Sequence, residues 1–356
     1  MGITGNKGEW SETYAFLRLL ADGKLFAADE QLNRIGNMFF PVIKIIREET
    51  RGTPYEFRPN TNSAEVQIFL NDEQLLSLPT SVFNDEANHL FEEITSGQGV
   101  FEVERTESFI RRTYLSKLKA SSADKSDISI QIHDVNTGYE NVVGFSIKSE
   151  LGSPPTLLNA GRTTNFIYEV CGLDLSRINE INAIETPRKI IDRMRAIADY
   201  GGHLTFVGME NETFKSNLTM IDSQMPAIVA EVLLGYYTHN IADSAGLADH
   251  VSQINPISCS AEFYSHKIKD MLCAIALGMK PATKWDGTDE ASGGYIIVKT
   301  DGDVLAYHIY NRDAFRGYLL RNTKLERGST SRHDFCTLYE ENSKVKIKLN
   351  LQIRFS

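Results

Sequence analysis

The run SDISIQIHDVNTGYENVVGFSIKSELG, residues 126–152, constrains the fold of this chain more than any other segment. Ile128, Ile130 and Ile132 alternate with Ser129, Gln131 and His133, the period-two pattern of a half-buried strand. Asn136, Thr137 and Gly138 supply turn chemistry, and Val142 to Leu151 reads as a returning strand. The segment therefore predicts a β-hairpin, stopped by Pro154-Pro155. Ser146 and Lys148, two residues apart on one strand, share a face. Asp127 opens the other strand, so pairing brings it near both.

Around the hairpin the chain mixes helical and strand patterns. Helical spacing covers Glu9 to Ala21, where Trp10, Tyr14, Leu17 and Leu20 lie near one face and Asn6 or Gly8 can begin the helix. Similar spacing covers Thr80 to Ile94, Glu104 to Lys119, Pro187 to Ala198, Ser223 to Tyr237 and Glu262 to Leu277. Strands are predicted at Phe39 to Ile46, Val66 to Leu70, Gly202 to Met209 and Val345 to Phe355. Gly293 to Thr300 and Asp303 to Tyr310 form a hairpin across Asp301-Gly302. Thr156 to Val170 reads as a loop entering a helix. The expectation is an α/β protein with a boundary between residues 172 and 186, giving regions 1–175 and 176–356.

Several function classes have no support. No run approaches 18 apolar residues, so no membrane-spanning helix is expected. MGITGNKGEW lacks an apolar leader core, which points to the cytoplasm. Cys171, Cys259, Cys273 and Cys336 are far apart and read as buried thiols, neither a zinc site nor a disulfide framework. No GxxxxGK[ST], GxGxxG or HExxH run is present. The net charge of −10 argues mildly against nucleic acid. Its distribution does not: from Arg316 to Ser356 nine basic residues face four acidic ones, a local charge of +5.

Asp127, Ser146 and Lys148 carry the clearest chemistry. A carboxylate beside a lysine can hold a divalent cation and a water next to a phosphate. Carboxylate and carbonyl oxygens suit Mg²⁺. The competing reading is a surface Asp and an extended Lys on an amphipathic hairpin, and by spacing alone that reading is the stronger one.

Two further features favour chemistry. A helix carboxylate (Glu12), a strand Asp and a lysine on the paired strand follow the layout of the PD-(D/E)XK nuclease core. The blocks NKGEWSETYAFLRLLADGKL, VGFSIKSELGSPPTLLNAGRTTNFIYEV, RNTKLERGSTSRHDF and KLNLQIRF resemble the HpaII-type family of type II restriction endonucleases, from near the N-terminus to the last residues. The resemblance implies a PD-(D/E)XK mixed α/β core and Mg²⁺-dependent cleavage of double-stranded DNA at a short site. The best-known member of the family reads CCGG. It also implies a separately encoded methyltransferase and, for a palindromic site, a homodimer on DNA.

Carried over residue by residue, the resemblance makes Asp127 a metal ligand and Lys148 the motif lysine. Ser146 stands where the (D/E) of the triplet usually sits, so a carboxylate is expected from elsewhere. Glu12 is the first choice, followed by Glu150, Glu169 (on the expected following helix) and Glu9, with the Ile147 carbonyl completing the metal set. Glu9 has an alternative role at the helix dipole, and Asp134 is the substitute for Asp127. The Ser146 departure keeps open a non-catalytic or modification-dependent DNA-binding protein on a degenerate core.

Two segments are DNA-contact candidates. Asn159, Arg162, Thr163, Thr164 and Asn165 would open a helix after the catalytic strand, where amides and hydroxyls bind phosphate, or merely cap it. Arg321, Asn322, Lys324, Arg327, Ser329, Ser331, Arg332 and His333 lie in the basic tail, and arginine is the usual bidentate reader of guanine. A flexible surface loop is the other reading of that tail.

Overall fold

A computed structural model describes residues 2–50, 52–118, 126–134, 138, 140–308 and 311–356. The expected turn residues Asn136 and Thr137, the helix end at Lys119 and the strand end at Tyr310 lie outside the described residues. The chain is mixed α/β and divides into two discontinuous units, one of Met1–Pro155 with Asp289–Tyr318, the other of Thr156–Thr288 with Leu319–Ser356. The expected single cut near residue 175 is therefore replaced: the chain leaves the first unit directly after the hairpin and returns to it for the strands at 294–308.

The first unit is built on a nine-stranded sheet. The hairpin strands are Ile128–His133 and Glu140–Ser149, the second starting and ending two residues earlier than its apolar pattern predicts. Their register pairs Ile128 with Phe145, so Asp127 falls beside Ser146. Arg34–Thr50 is far longer than expected because it serves three neighbours in turn. Its start pairs with Lys24–Ala28, its middle with Ile128–His133 and its end with Thr53–Asn60. Gly294–Val298 pairs in parallel with Phe145–Ser149, and Val304–His308 pairs back to Lys24–Ala28. Six strands thus close on themselves, and Thr53–Pro79 extends the sheet as a meander.

The N-terminal helix, Lys7–Asp22, packs into this sheet. Asn6 caps it: its side chain accepts from Glu9 N, and the Glu9 carboxylate accepts from Asn6 N, a reciprocal box that satisfies two otherwise orphaned donors. Trp10, Tyr14, Leu17 and Leu20 are all buried, as their spacing predicts. Trp10 Nε1 donates to Phe101 O at 3.1 Å, so even the polar edge of the ring is satisfied. Burying four such side chains supplies on the order of 6–12 kcal/mol of apolar transfer free energy, which locks the helix against the hairpin. Helix Thr80–Ser96 follows its prediction. Helix Glu104–Arg112 is shorter than predicted, and Tyr114, at φ 67°, closes the chain reversal after it.

The second unit holds a four-stranded and a three-stranded sheet with helices that include Lys189–Asp199, Met225–His239 and Ala261–Leu277. The segment expected to enter a helix instead forms the short strand Thr156–Leu158, a single 3₁₀ turn at Arg162–Thr164 and the strand Asn165–Cys171. β-Branched and aromatic content in NFIYEVC outweighs its helical spacing. The predicted last strand is two strands, Lys344–Asn350 and Ile353–Phe355, in different sheets. All four cysteines are free thiols, Cys273 and Cys336 buried and Cys171 and Cys259 only partly so. Among the described residues no single helix is long and apolar enough to cross a membrane.

Candidate active site and DNA-facing residues

The hairpin register assembles a hydrogen-bonded chain. Asp127 N donates to Phe145 O at 2.8 Å, which fixes the carboxylate at the mouth of the strand. Asp127 Oδ2 then accepts from Ile147 N at 2.7 Å and from Ser146 Oγ at 3.0 Å. Lys148 Nζ donates to Ser146 Oγ at 3.2 Å. Ser146 is 1% exposed and pairs across the parallel ladder with Tyr295. Lys148 Nζ lies 5.6 Å from the centre of the Tyr295 ring, within cation–π range. The lysine is therefore held on two sides, by a hydroxyl and by a buried ring.

Lys148 faces a cleft of about 800 Å³. Its walls come from the helix start (Asn6, Lys7, Gly8, Glu9, Glu12), the turn at Gly97–Gly99 and the hairpin end (Ile147, Ser149, Leu151). Glu12 and Lys148 thus open on the same space, while Asp127 and Ser146 are not among its walls and reach it through Lys148. Ser11 Oγ donates to Ser149 Oγ at 2.8 Å, tying the helix turn that carries Glu12 to the strand that carries Lys148. Sequence reasoning missed Ser11, Ser149 and Tyr295, because a serine pair and a strand tyrosine carry no spacing signal until register is known.

The other carboxylate candidates separate. Glu9 lines the cleft, but its carboxylate is engaged in the helix cap. Glu150 is exposed and stands near Tyr318, whose hydroxyl is driven above the usual tyrosine range by burial and then by the Glu150 charge. Glu169 lies on a strand rather than the expected helix, and its carboxylate accepts from Lys344 Nζ at 2.8 Å. Asp134 is buried at the turn end of the hairpin, at the opposite end of the ladder from Lys148. Among the described residues no three of His, Cys, Asp and Glu converge as a metal cluster.

In the second unit Asn159, Arg162, Ser331 and Arg332 are exposed, and Thr163, Asn322, Lys324 and His333 are partly so. Arg321 is exposed at the end of a helix, Arg312–Arg321. Thr164 and Asn165 are fully buried and are withdrawn as DNA contacts: Asn350 Nδ2 donates to Thr164 Oγ1 at 3.1 Å and to Asn165 Oδ1 at 2.7 Å, so both serve the interior. Arg327 turns onto the Tyr236 ring, 5.4 Å from its centre, and donates to Asn240. The tail is not a flexible loop at 330–333, where Thr330–His333 is a short helix whose N-cap is Ser329. Lys348 is held above the ordinary lysine range; burial alone would lower it, and the Asp334 and Glu210 carboxylates outweigh that.

In the first unit, a mixed sheet thus carries a carboxylate–serine–lysine chain whose lysine lines a cleft. Residues 6–355 match the family model of the HpaII restriction endonuclease. The type II restriction enzyme HpaII of Haemophilus parainfluenzae is 41% identical over 359 residues, which cover 99% of each chain. The chain belongs to the HpaII restriction endonuclease family and is a site-specific deoxyribonuclease that binds double-stranded DNA. No solved structure matches it.

Proposed function

We propose that this chain is a Mg²⁺-dependent type II restriction endonuclease on a PD-(D/E)XK core, with Asp127, Ser146, Lys148 and Glu12 as its catalytic set. The observation that carries this reading is the Asp127–Ser146–Lys148 chain at the cleft. The helix Lys7–Asp22, the antiparallel strands Arg34–Thr50, Ile128–His133 and Glu140–Ser149, and the parallel strand Gly294–Val298 support the core assignment. The donors assigned to a cation are all oxygen: the Glu12 carboxylate and the Ile147 carbonyl, whose residues line the cleft, and the Asp127 carboxylate, which stands behind them and accepts from Ile147 N. That set suits Mg²⁺, which keeps several of its waters. When bound there, Mg²⁺ supplies charge to offset that on the scissile phosphate and lowers the pKa of a water.

The chain's own residues do the rest. Lys148 Nζ orients the attacking water and offsets the charge that builds on the phosphate, while the water's proton passes to solvent and the departing 3′ oxygen takes one from solvent. The water oxygen bonds to phosphorus in line as the bond to the 3′ oxygen breaks, leaving a 5′-phosphate and a 3′-hydroxyl. Ser146 keeps Lys148 and Asp127 at hydrogen-bonding distance from a shared hydroxyl. Asn159, Arg162, Thr163, Arg321, Asn322, Lys324, Ser331, Arg332 and His333 form the DNA-contact set, at CCGG or a related G·C-rich site. A homodimer on DNA, a separately encoded methyltransferase and a cytoplasmic location complete the reading.

The test is a digest of unmethylated plasmid with Mg²⁺, followed by sequencing of the ends. Discrete fragments with one recurring end sequence are expected. DNA binding without cleavage in Mg²⁺ and Mn²⁺ would replace this reading with a non-catalytic binder, and cleavage of methylated plasmid alone with a modification-dependent nuclease.

A further inference from the structure

The two DNA-contact segments of the second unit rest on one frame. A Cβ added at Gly328 would sit 2.8 Å from the Ala160 side chain, so the two turns touch. Asn350 Nδ2 donates to Gly161 O at 2.7 Å, and Asn165 Nδ2 donates to His333 O at 2.9 Å. Arg162 and Arg332 therefore project from backbone that is tied together beneath them.

Glu210 lies at the centre of that tie. Its position is set by the Phe166–Met209 pairing and by its own N–H, which donates to Asn165 O at 3.0 Å. Its Oε2 accepts from Asn165 Nδ2 at 2.7 Å, and its Oε1 accepts from Lys348 Nζ at 3.0 Å. Asn165 holds His333 from one side. Lys348 holds Asp334 from the other, with Nζ donating to Asp334 Oδ2 at 2.9 Å. One carboxylate thus anchors both groups that fix residues 333–334, immediately after Arg332. A pair of partly buried charges joined by hydrogen bonds holds geometry firmly, since removing one leaves the other uncompensated.

We infer that Glu210 is a positioning residue for sequence discrimination, an inference that rests on the DNA-contact surface proposed above. Glu210 acts through Asn165 and Lys348, which set where the Arg332 side chain begins. Phosphate contact tolerates a shift of that origin, because charge attraction is long-ranged. Bidentate base reading does not, because it needs two hydrogen bonds in one plane.

The experiment uses the full chain, a duplex carrying the site found in the plasmid digest, and duplexes with one base pair changed. Glu210→Gln keeps the volume and an oxygen for Asn165 but turns an amide toward Lys348. It is expected to lower discrimination in kcat/KM at least tenfold, with the cognate loss in KM rather than kcat. Lys348→Met, which leaves Glu210 and Asp334 facing each other as like charges, is expected to do the same. Wild-type discrimination in either folded variant, or a loss confined to kcat, overturns the inference. Arg332→Ala is measured in parallel. Unaltered affinity and discrimination there remove the DNA-contact surface and the inference with it. An effect in Arg332→Ala without one in the Glu210 and Lys348 variants removes only the role of Glu210.

Discussion

Ser146 gives its single hydroxyl proton to Asp127 Oδ2 at 3.0 Å, so toward Lys148 it acts only as an acceptor, at 3.2 Å. A carboxylate at this position would instead set a second negative charge beside Asp127. Ser146→Ala removes the joint and leaves volume nearly unchanged. A lost hydrogen bond to charged groups amounts to roughly 1.5–3 kcal/mol, so cleavage is expected to fall about 10–100-fold. Single-turnover cleavage at saturating Mg²⁺ measures this, and a wild-type rate would show that the hydroxyl is dispensable.

Asp127→Ala and Lys148→Ala remove the two ends of the same chain. Each is expected to slow cleavage by at least about 10³-fold, in the range for loss of a group that handles a proton or a cation at the reacting centre. Binding to the cognate duplex without divalent ions should stay close to wild type. Filter binding and plasmid cleavage on one preparation separate the two effects. Retained cleavage in Asp127→Ala would transfer the role to Asp134.

The hairpin was legible because its two requirements, alternation and a turn, are both local. Register followed from it, and with it the meeting of Asp127, Ser146 and Lys148. The position of Glu12 on the cleft wall follows from its helix, whose buried stripe and Asn6 cap fix which side meets the hairpin. Tyr295 and Glu210 were not legible. Each gains its place from a pairing with a distant strand, Ser146 with Tyr295 and Phe166 with Met209, and sequence does not carry such long-range register. The fate of NFIYEVC shows the same limit, since its neighbour across the ladder is Lys344–Asn350.

Glu12→Gln keeps the shape of the cleft wall and removes a charge from it. The Mg²⁺ concentration for half-maximal cleavage is expected to rise about 10-fold or more, the usual consequence of weakening a metal site's carboxylate support. The rate at saturating Mg²⁺ should recover in part. A Mg²⁺ titration of cleavage reads both quantities. An unchanged midpoint would exclude Glu12 from the cation site.

Arg332 is exposed next to a frame that holds its backbone. Arg332→Ala is expected to weaken cognate binding by about 1–3 kcal/mol if the guanidinium reads a base, with a matching loss of discrimination. A phosphate contact would instead lower affinity for all sequences and reduce the salt slope by about 1. Affinity measured at several salt concentrations on cognate and altered duplexes distinguishes the two, and no change in either would remove Arg332 from the surface.

His308 supplies a stability prediction independent of DNA. It is buried, its ring lies tilted against Phe40 with centres 4.8 Å apart, and its pKa is lowered to about 4 by burial, against a smaller opposing effect of the Asp134 charge. The folded state therefore holds it neutral where the unfolded chain, near 6.5, binds a proton. The associated stability is fully present above about pH 6.5, falls as pH drops, and is gone below about 4, a total on the order of 3 kcal/mol. His308→Phe keeps an aromatic ring against Phe40 and removes the titration. Its unfolding free energy between pH 7 and 4 is expected to fall less steeply than wild type by up to one proton's worth. Urea unfolding at a series of pH values measures the slope, and parallel curves for the two proteins would show that His308 is not the group that titrates.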